Sequence, residues 1–205
     1  MPIEYFLGKV EFFGREFEVN KNVLIPRRDT EVLVFEVQKR IESGQKVLEL
    51  CTGSGCVAVT LALGGASVTA TDISEQAIEV AQRNSRKHQT KVEFVLSDMF
   101  EKVLGKFNAI VCNPPYIKTG EIGLHDPSIL HEPRIALDGG EDGLRFYRIL
   151  TERAGECLVE GGFLALEIGF DQAEEVSSLL DSNGWKRVEV VKDTKGQDRV
   201  LVAYK

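Results

Sequence analysis

With 205 residues, 43% of them hydrophobic, the chain is long enough to bury one sizeable core, and its composition is neither fibrous nor disordered. Its 25 basic and 32 acidic residues leave a net charge of −7, which argues against direct binding of duplex nucleic acid, whose phosphates call for a basic face. Four cysteines without a CxxC pair and only three histidines do not suggest structural zinc or another metal, and thiols set in apolar runs fit a reducing, cytoplasmic setting. The first residues, Met1 to Glu4, lack the basic and apolar stretches of a signal peptide. No run reaches the ~18 apolar residues of a membrane span, so no membrane partner is expected.

Residues 9–13 and 16–20 read as a β-hairpin turning at Gly14-Arg15. Pro26 then breaks the chain, and Asp29 or Thr30 is placed to cap a helix reaching about Ile41, with Leu33, Val37 and Ile41 as its apolar stripe. From Lys46 the pattern alternates: strand 47–50, a glycine turn, helix 57–63, strand 68–71, then a helix over 75–87 capped by Ser74. Strands at 92–96 and 109–112 follow, then a loop rich in Pro, Gly and charge, a helix over 143–154, a strand at 163–168 and a helix over 172–183. Two closing strands, 186–191 and 199–203, are split by a short polar turn. This alternation predicts an α/β, Rossmann-like fold: a mostly parallel sheet with helices on both faces, a small N-terminal β-hairpin and an antiparallel C-terminal hairpin at one edge.

The first strand of the alternating region runs into Cys51, Thr52, Gly53, Ser54 and Gly55, at the amino end of the next helix. Glycines there let the backbone turn tightly and approach a ligand closely. Nineteen residues after Gly53, Asp72 ends the second strand, where it can accept from both hydroxyls of a ribose. That pattern serves NAD and S-adenosylmethionine alike. Ala58 at the third glycine's place and Glu49 inside the strand end lean towards the methyl donor. Asp98 could accept from an adenine amino group while Met99 or Phe100 covers the ring; equally, Asp98 could start a turn and the other two belong to the core.

Asn113, Pro114, Pro115 and Tyr116 follow the fourth strand directly. Two prolines remove two backbone donors and stiffen the loop. The Asn113 side-chain oxygen and the Pro114 carbonyl can both accept from a single NH2 group. A conjugated nitrogen has a delocalised lone pair and is a poor nucleophile, so two fixed acceptors that orient it favour attack on a methyl group. Tyr116 can pack its ring on the planar substrate and exclude water. Catalysis is then mostly positioning, with no strong general base required.

With these residues in place, the chain resembles the HemK/PrmC class of protein-(glutamine-N5) methyltransferases, which modify the glutamine of the GGQ motif in peptide chain release factors. The likeness runs from about Pro2 to the C-terminus. It rests on residues 8–13, on Leu24-Ile25-Pro26-Arg27-Arg28-Asp29-Thr30-Glu31, on the glycine turn, on Asn113 to Tyr116, and on Glu132-Pro133 with Ala136-Leu137 and residues 139–144. It implies a class I S-adenosylmethionine-dependent methyltransferase with a seven-stranded sheet containing one antiparallel strand. It also implies that residues 51–55, Asp72, Met99 and Asn113 surround the cofactor and residues 113–116 hold the glutamine. The expected organisation is an N-terminal hairpin and linker at 1–26 and a catalytic domain at 27–205, with a release factor as partner. Three departures stand out. Cys51 occupies a place where the family has glycine, Arg28 one where it has proline, and the family's N-terminal helical domain is not matched, which leaves room for recruitment by a partner.

The tetrapeptide also occurs in adenine-N6 methyltransferases of DNA or RNA, but those predict a target-recognition domain or basic groove. A ribosomal-protein glutamine methyltransferase is a second alternative, though it generally lacks the Asp-Thr-Glu ending. A binding module that only retains the fold would show damage at the glycine turn, Asp72 or Asn113, and all are intact. His125 and His131 are read as solvated loop histidines, Trp185 as a core anchor, and Glu79, Arg83 and Lys87 as a solvated helix face. Glu132 and Arg134 either order the loop over the substrate or pair with each other.

Overall fold

The computed structural model describes residues 1–124 and 126–205; His125 lies outside the described residues. A short helix, α1 (Ile3–Leu7), opens the chain; five residues are too few to show an amphipathic period in the sequence. Strands β1 (Lys9–Phe12) and β2 (Arg15–Glu18) form the predicted hairpin, but it turns at Phe13-Gly14 rather than Gly14-Arg15. Both turn residues have positive φ, 51° and 69°, the geometry that matches the twist of the flanking strands. Phe13 tolerates it because its N–H donates to Glu31 Oε1 at 2.8 Å.

Helix α2 (Glu31–Gln38) buries Leu33, Val34 and Val37. Neither candidate cap does that work: Thr30 is itself in helical conformation with no capping bond, and a 3-10 turn over Arg28–Thr30 leads in. Asp29 faces Lys195 and Arg199 at 3.9 and 3.8 Å. The helix ends before Ile41, whose N–H still reaches back to the Val37 carbonyl in a looser turn.

The main sheet comprises β3 (Lys46–Leu50), β4 (Ser67–Asp72), β5 (Val92–Leu96), β6 (Phe107–Cys112), β7 (Leu158–Glu167), β8 (Arg187–Lys192) and β9 (Asp198–Tyr204). Its order is β5-β4-β3-β6-β7-β9-β8. Pairings are parallel from β5 through β7, and β9 runs antiparallel to both of its neighbours. The closing hairpin therefore sits at an edge as expected, with β9 slotted between β7 and β8. Strand β7 starts at Leu158, earlier than the sequence suggests, because Gly161 (φ 75°) absorbs a register break opposite β6.

Side-chain alternation along the strands splits the core in two. Val47, Ala109, Val111 and Phe163 pack with α2, α3 (Cys56–Leu63) and the buried hairpin residues Phe12 and Phe17. Leu48, Leu50, Ile110 and Leu164 pack on the opposite side with α5 (Arg145–Arg153) and α6 (Ala173–Ser182). Trp185 anchors this second core, its Nε1 donating to the Thr151 carbonyl at 2.8 Å. Helix α4 (Glu75–Lys87) is capped by Ser74, which accepts from the Ala77 N–H. Its outer face is not simply solvated, because Arg83 pairs with Glu18 at 3.1 Å and Lys87 with Glu16 at 2.9 Å. Between them Asn84, fully buried, accepts from Glu18 N at 2.7 Å and donates to the carbonyls of Glu18 and Ser54 at 2.9 and 2.8 Å. One side chain thus joins hairpin, helix and glycine turn. No described helix is long and apolar enough to cross a membrane.

The chain steps from β3 outward to β4 and β5, then returns to β6 on the other side of β3. That reversal opens a crevice beyond the carboxyl ends of β3 and β6, where ligands bind in open parallel sheets.

Candidate active site

A cleft of about 190 Å³ fills this crevice, far more than the ~10–15 Å³ that holding one water requires. Among the residues singled out in the sequence, Cys51, Thr52, Gly53, Ser54, Asp72, Asp98, Met99, Asn113 and Pro115 line it. Gly55 stands behind the wall: an added Cβ would come within 2.9 Å of Ala81, so its role is the close approach of α3 to α4. Pro114 and Tyr116 are not in the cleft wall either. Tyr116 packs against the second core, and its carbonyl accepts from Gln172 Nε2 at 3.1 Å. Phe100 is core, whereas Met99 reaches the cleft. The far wall comes from the segment between the hairpin and α2, including Leu24, Pro26, Arg27 and Thr30.

The glycine turn is set from below by Glu49. Its Oε2 accepts from the Thr52 hydroxyl and from Ala58 N at 3.1 Å. Burial pushes this carboxyl up to about 8, against the lowering effect of those two donors. Asp72 is held by two backbone donors, Gly53 N to Oδ2 at 2.8 Å and Ser74 N to Oδ1 at 2.9 Å. Each oxygen keeps a lone pair, so the carboxylate can still accept from two adjacent hydroxyls. Burial raises its pKa while those backbone donors lower it. Cys51 and Met99 both have positive φ, 59° and 43°, and their sulfurs lie 3.8 Å apart across the cleft floor. The left-handed backbone at Cys51 is one that glycine adopts without a Cβ penalty.

Asn113 Nδ2 donates to Thr30 Oγ1 at 3.3 Å. The amide group left for a ligand is therefore Oδ1, an acceptor. Glu132 settles the second ambiguity. It is buried, accepts from Ile25 N at 2.9 Å and pairs with Arg27, so it straps the loop after β6 onto the far wall. Arg134 pairs instead with Asp138. His131 lies in a 3-10 turn of that loop and does not line the cleft.

This donor set suits the nucleoside and methyl donor expected from the sequence: a diol acceptor at Asp72, an open backbone at Gly53 where an added Cβ meets nothing within 4 Å, and soft sulfur at Met99. The comparisons with known proteins agree with the architecture. A family model described as "Methyltransferase small domain" matches residues 28–141. The release factor glutamine methyltransferase of Neisseria gonorrhoeae is 45% identical over 98% of this chain and 76% of its own length. That of Geobacter sulfurreducens is 43% identical over 98% of this chain and 72% of its own. The chain belongs to the release factor glutamine methyltransferase family. In fold, it is similar to a methyltransferase from Pyrococcus furiosus, with a TM-score of 0.72 at 22% identity, covering 94% of this chain and 90% of that one.

Within this member of the family, three supporting residues were not evident from sequence. Thr30 looked like a helix cap. Gln172 looked like a helix start; it is buried, and its Oε1 accepts from Gly169 N at 3.0 Å while Nε2 holds the Tyr116 carbonyl. Glu167 ends the apolar run of β7 beside β6, and a lone carboxylate at the carboxyl end of a buried parallel strand was the available signal.

Proposed function

We propose that the chain transfers a methyl group to the side-chain amide nitrogen of a protein glutamine, the substrate being the GGQ glutamine of a peptide chain release factor. The observation that carries this reading is the orientation of Asn113. With Nδ2 engaged by Thr30, the amide presents an acceptor to the cleft, and an acceptor is what an NH2 group requires. S-adenosylmethionine, when bound, supplies a methyl group on a positively charged sulfur. Asp72 takes its ribose hydroxyls, residues 51–55 leave room for its backbone-facing parts, and Asp98 and Met99 border the adenine. Asn113 Oδ1 accepts from the substrate nitrogen, and Pro114 and Tyr116, which stand outside the cleft wall, stiffen and anchor the loop that presents Asn113. Residues 27–205 carry this machinery, and residues 1–26 supply the hairpin and part of the far wall. A release factor as substrate sets the enzyme in the cytoplasm, where translation runs.

The test uses S-adenosylmethionine with a labelled methyl group, a purified bacterial release factor and peptide mass spectrometry. The expected product carries one methyl on the GGQ glutamine. The Asn113→Ala variant should lose about 10²-fold in turnover with cofactor affinity nearly unchanged, as for other groups that act only in positioning and charge stabilisation. Label on a nucleic acid, or on a different protein site, would overturn the substrate assignment.

A further inference from the structure

The Asp-Thr-Glu segment at residues 29–31 contributes only one hydrogen bond to the chemistry above. Its central residue, Thr30, is 3% exposed and accepts from Asn113 Nδ2. A hydroxyl that accepts still has a proton to donate. The Thr30 hydroxyl lies beside Glu167, which is 2% exposed and whose Oε2 is buried without a hydrogen-bond partner among the described residues. A buried, unpartnered carboxylate oxygen beside a buried hydroxyl is a costly arrangement unless the two meet.

We propose that Glu167 and Thr30 are positioning residues for Asn113, a carboxylate–hydroxyl–amide relay that decides which end of the Asn113 amide faces the cleft. The inference rests on the reading of Asn113 given above. The direction of the relay follows from which groups can donate. Above its raised pKa of about 7 the Glu167 carboxylate only accepts, so the Thr30 proton points to it. The Thr30 oxygen then takes its hydrogen bond from Asn113, which must turn its NH2 towards Thr30 and its oxygen towards the substrate. Without the relay the amide can flip, and its NH2 would confront the substrate's NH2, donor against donor.

The surroundings fit this role. Burial pushes the Glu167 carboxyl up to about 7, while the Thr30 hydroxyl, the Arg199 charge and the Tyr116 hydroxyl lower it and Asp29 raises it. Arg199 is itself fixed by Asp193 at 3.3 Å and by the Ile168 carbonyl at 3.2 Å, and it faces Asp29 at 3.8 Å. The Glu167 backbone is pinned by Tyr147, whose hydroxyl donates to its carbonyl at 2.9 Å. Each element of the relay therefore hangs from a separate strand or turn: Thr30 before α2, Asn113 after β6 and Glu167 at the end of β7.

Three single variants and one double variant test it. Thr30→Val, nearly isosteric, should lower kcat at least about tenfold while the cofactor Kd stays within about twofold, the split expected of lost orientation. Thr30→Ser should restore most of the rate. Glu167→Leu, which cannot accept the Thr30 proton, should lower kcat too, and the Thr30→Val/Glu167→Leu double variant should be no slower than about threefold below the worse single, because the two act as one unit. Full activity in Thr30→Val, failure of Thr30→Ser to rescue, or additive losses would each overturn the relay. A substrate-free readout separates this from the functional reading. In the 15N NMR spectrum, the Asn113 side-chain NH2 should be protected from exchange in the parent and in Thr30→Ser but not in Thr30→Val. Identical Asn113 side-chain signals in all three would refute the relay even if the enzyme methylated its substrate well, whereas absence of methyl transfer with the NMR pattern intact would count against the substrate alone.

Discussion

Asp72 is oriented by the N–H groups of Gly53 and Ser74 before any ligand arrives, so its remaining acceptor positions are fixed in space. Preorganisation of this kind turns a half-buried carboxylate into a specific diol receptor. Replacing it with alanine removes two hydrogen bonds to a charged group at about 1.5 kcal/mol each, so the Asp72→Ala variant should bind S-adenosylmethionine roughly 10²-fold more weakly. Isothermal titration calorimetry measures this directly, and unaltered affinity would remove Asp72 from the cofactor site. The sequence exposed Asp72 and Asn113 because a strand end plus a spacing identifies a position at the mouth of a parallel sheet. It hid Thr30 and Glu167 because their roles depend on two strand ends and a preceding turn converging, which no local pattern records. Thr30 also carried a misleading local signal: threonine before an apolar-periodic run reads as a cap, yet here its side chain is committed to Asn113.

Among the elements, the hairpin β1–β2 is the one whose attachment needs explaining, since a two-stranded ribbon is marginal by itself. It is held in two ways: Phe12 and Phe17 enter the first core, and Asn84 of α4 satisfies both backbone groups of Glu18. The same amide also takes the Ser54 carbonyl, so the hairpin supports the glycine turn from outside. Asn84→Leu would leave three buried or half-buried backbone groups without partners and should cost about 2–4 kcal/mol. Urea unfolding measures it, and a loss under about 0.5 kcal/mol would mean that water takes over those bonds. Sequence periodicity found the strands, the helices from α2 onward and the edge hairpin, because each is encoded by a repeat several residues long. Turn placement and element ends failed where one residue decides. Phe13 accepts a left-handed backbone only because Glu31, eighteen positions away, receives its N–H.

For the whole molecule, two buried carboxyls near the centre of the sheet make stability depend on pH. Glu49 lies one residue before the end of β3 and Glu167 ends β7, and burial is the largest influence on both, raising them to about 8 and about 7 from 4.5. A carboxyl raised in the folded state binds its proton more tightly there than in the unfolded chain. Between pH 4.5 and about 8 the folded protein therefore holds more protons than the unfolded one, and stability falls as pH rises. The contribution of each group is complete below about pH 4.5 and is lost as pH climbs through its folded value, near 7 for Glu167 and near 8 for Glu49. The net charge of −7 at pH 7 acts in the same direction, since further deprotonation adds self-repulsion. Thermal melts of the ligand-free protein should therefore show a midpoint that declines from pH 5.5 to 8.5. Glu49→Gln keeps the shape and removes the titration, so it should flatten the upper part of that decline, above pH 7, while leaving the lower part to Glu167. A midpoint that rises over this range, or a Glu49→Gln profile parallel to the parent's, would mean that the glycine turn is built on a carboxylate already ionised in the folded protein.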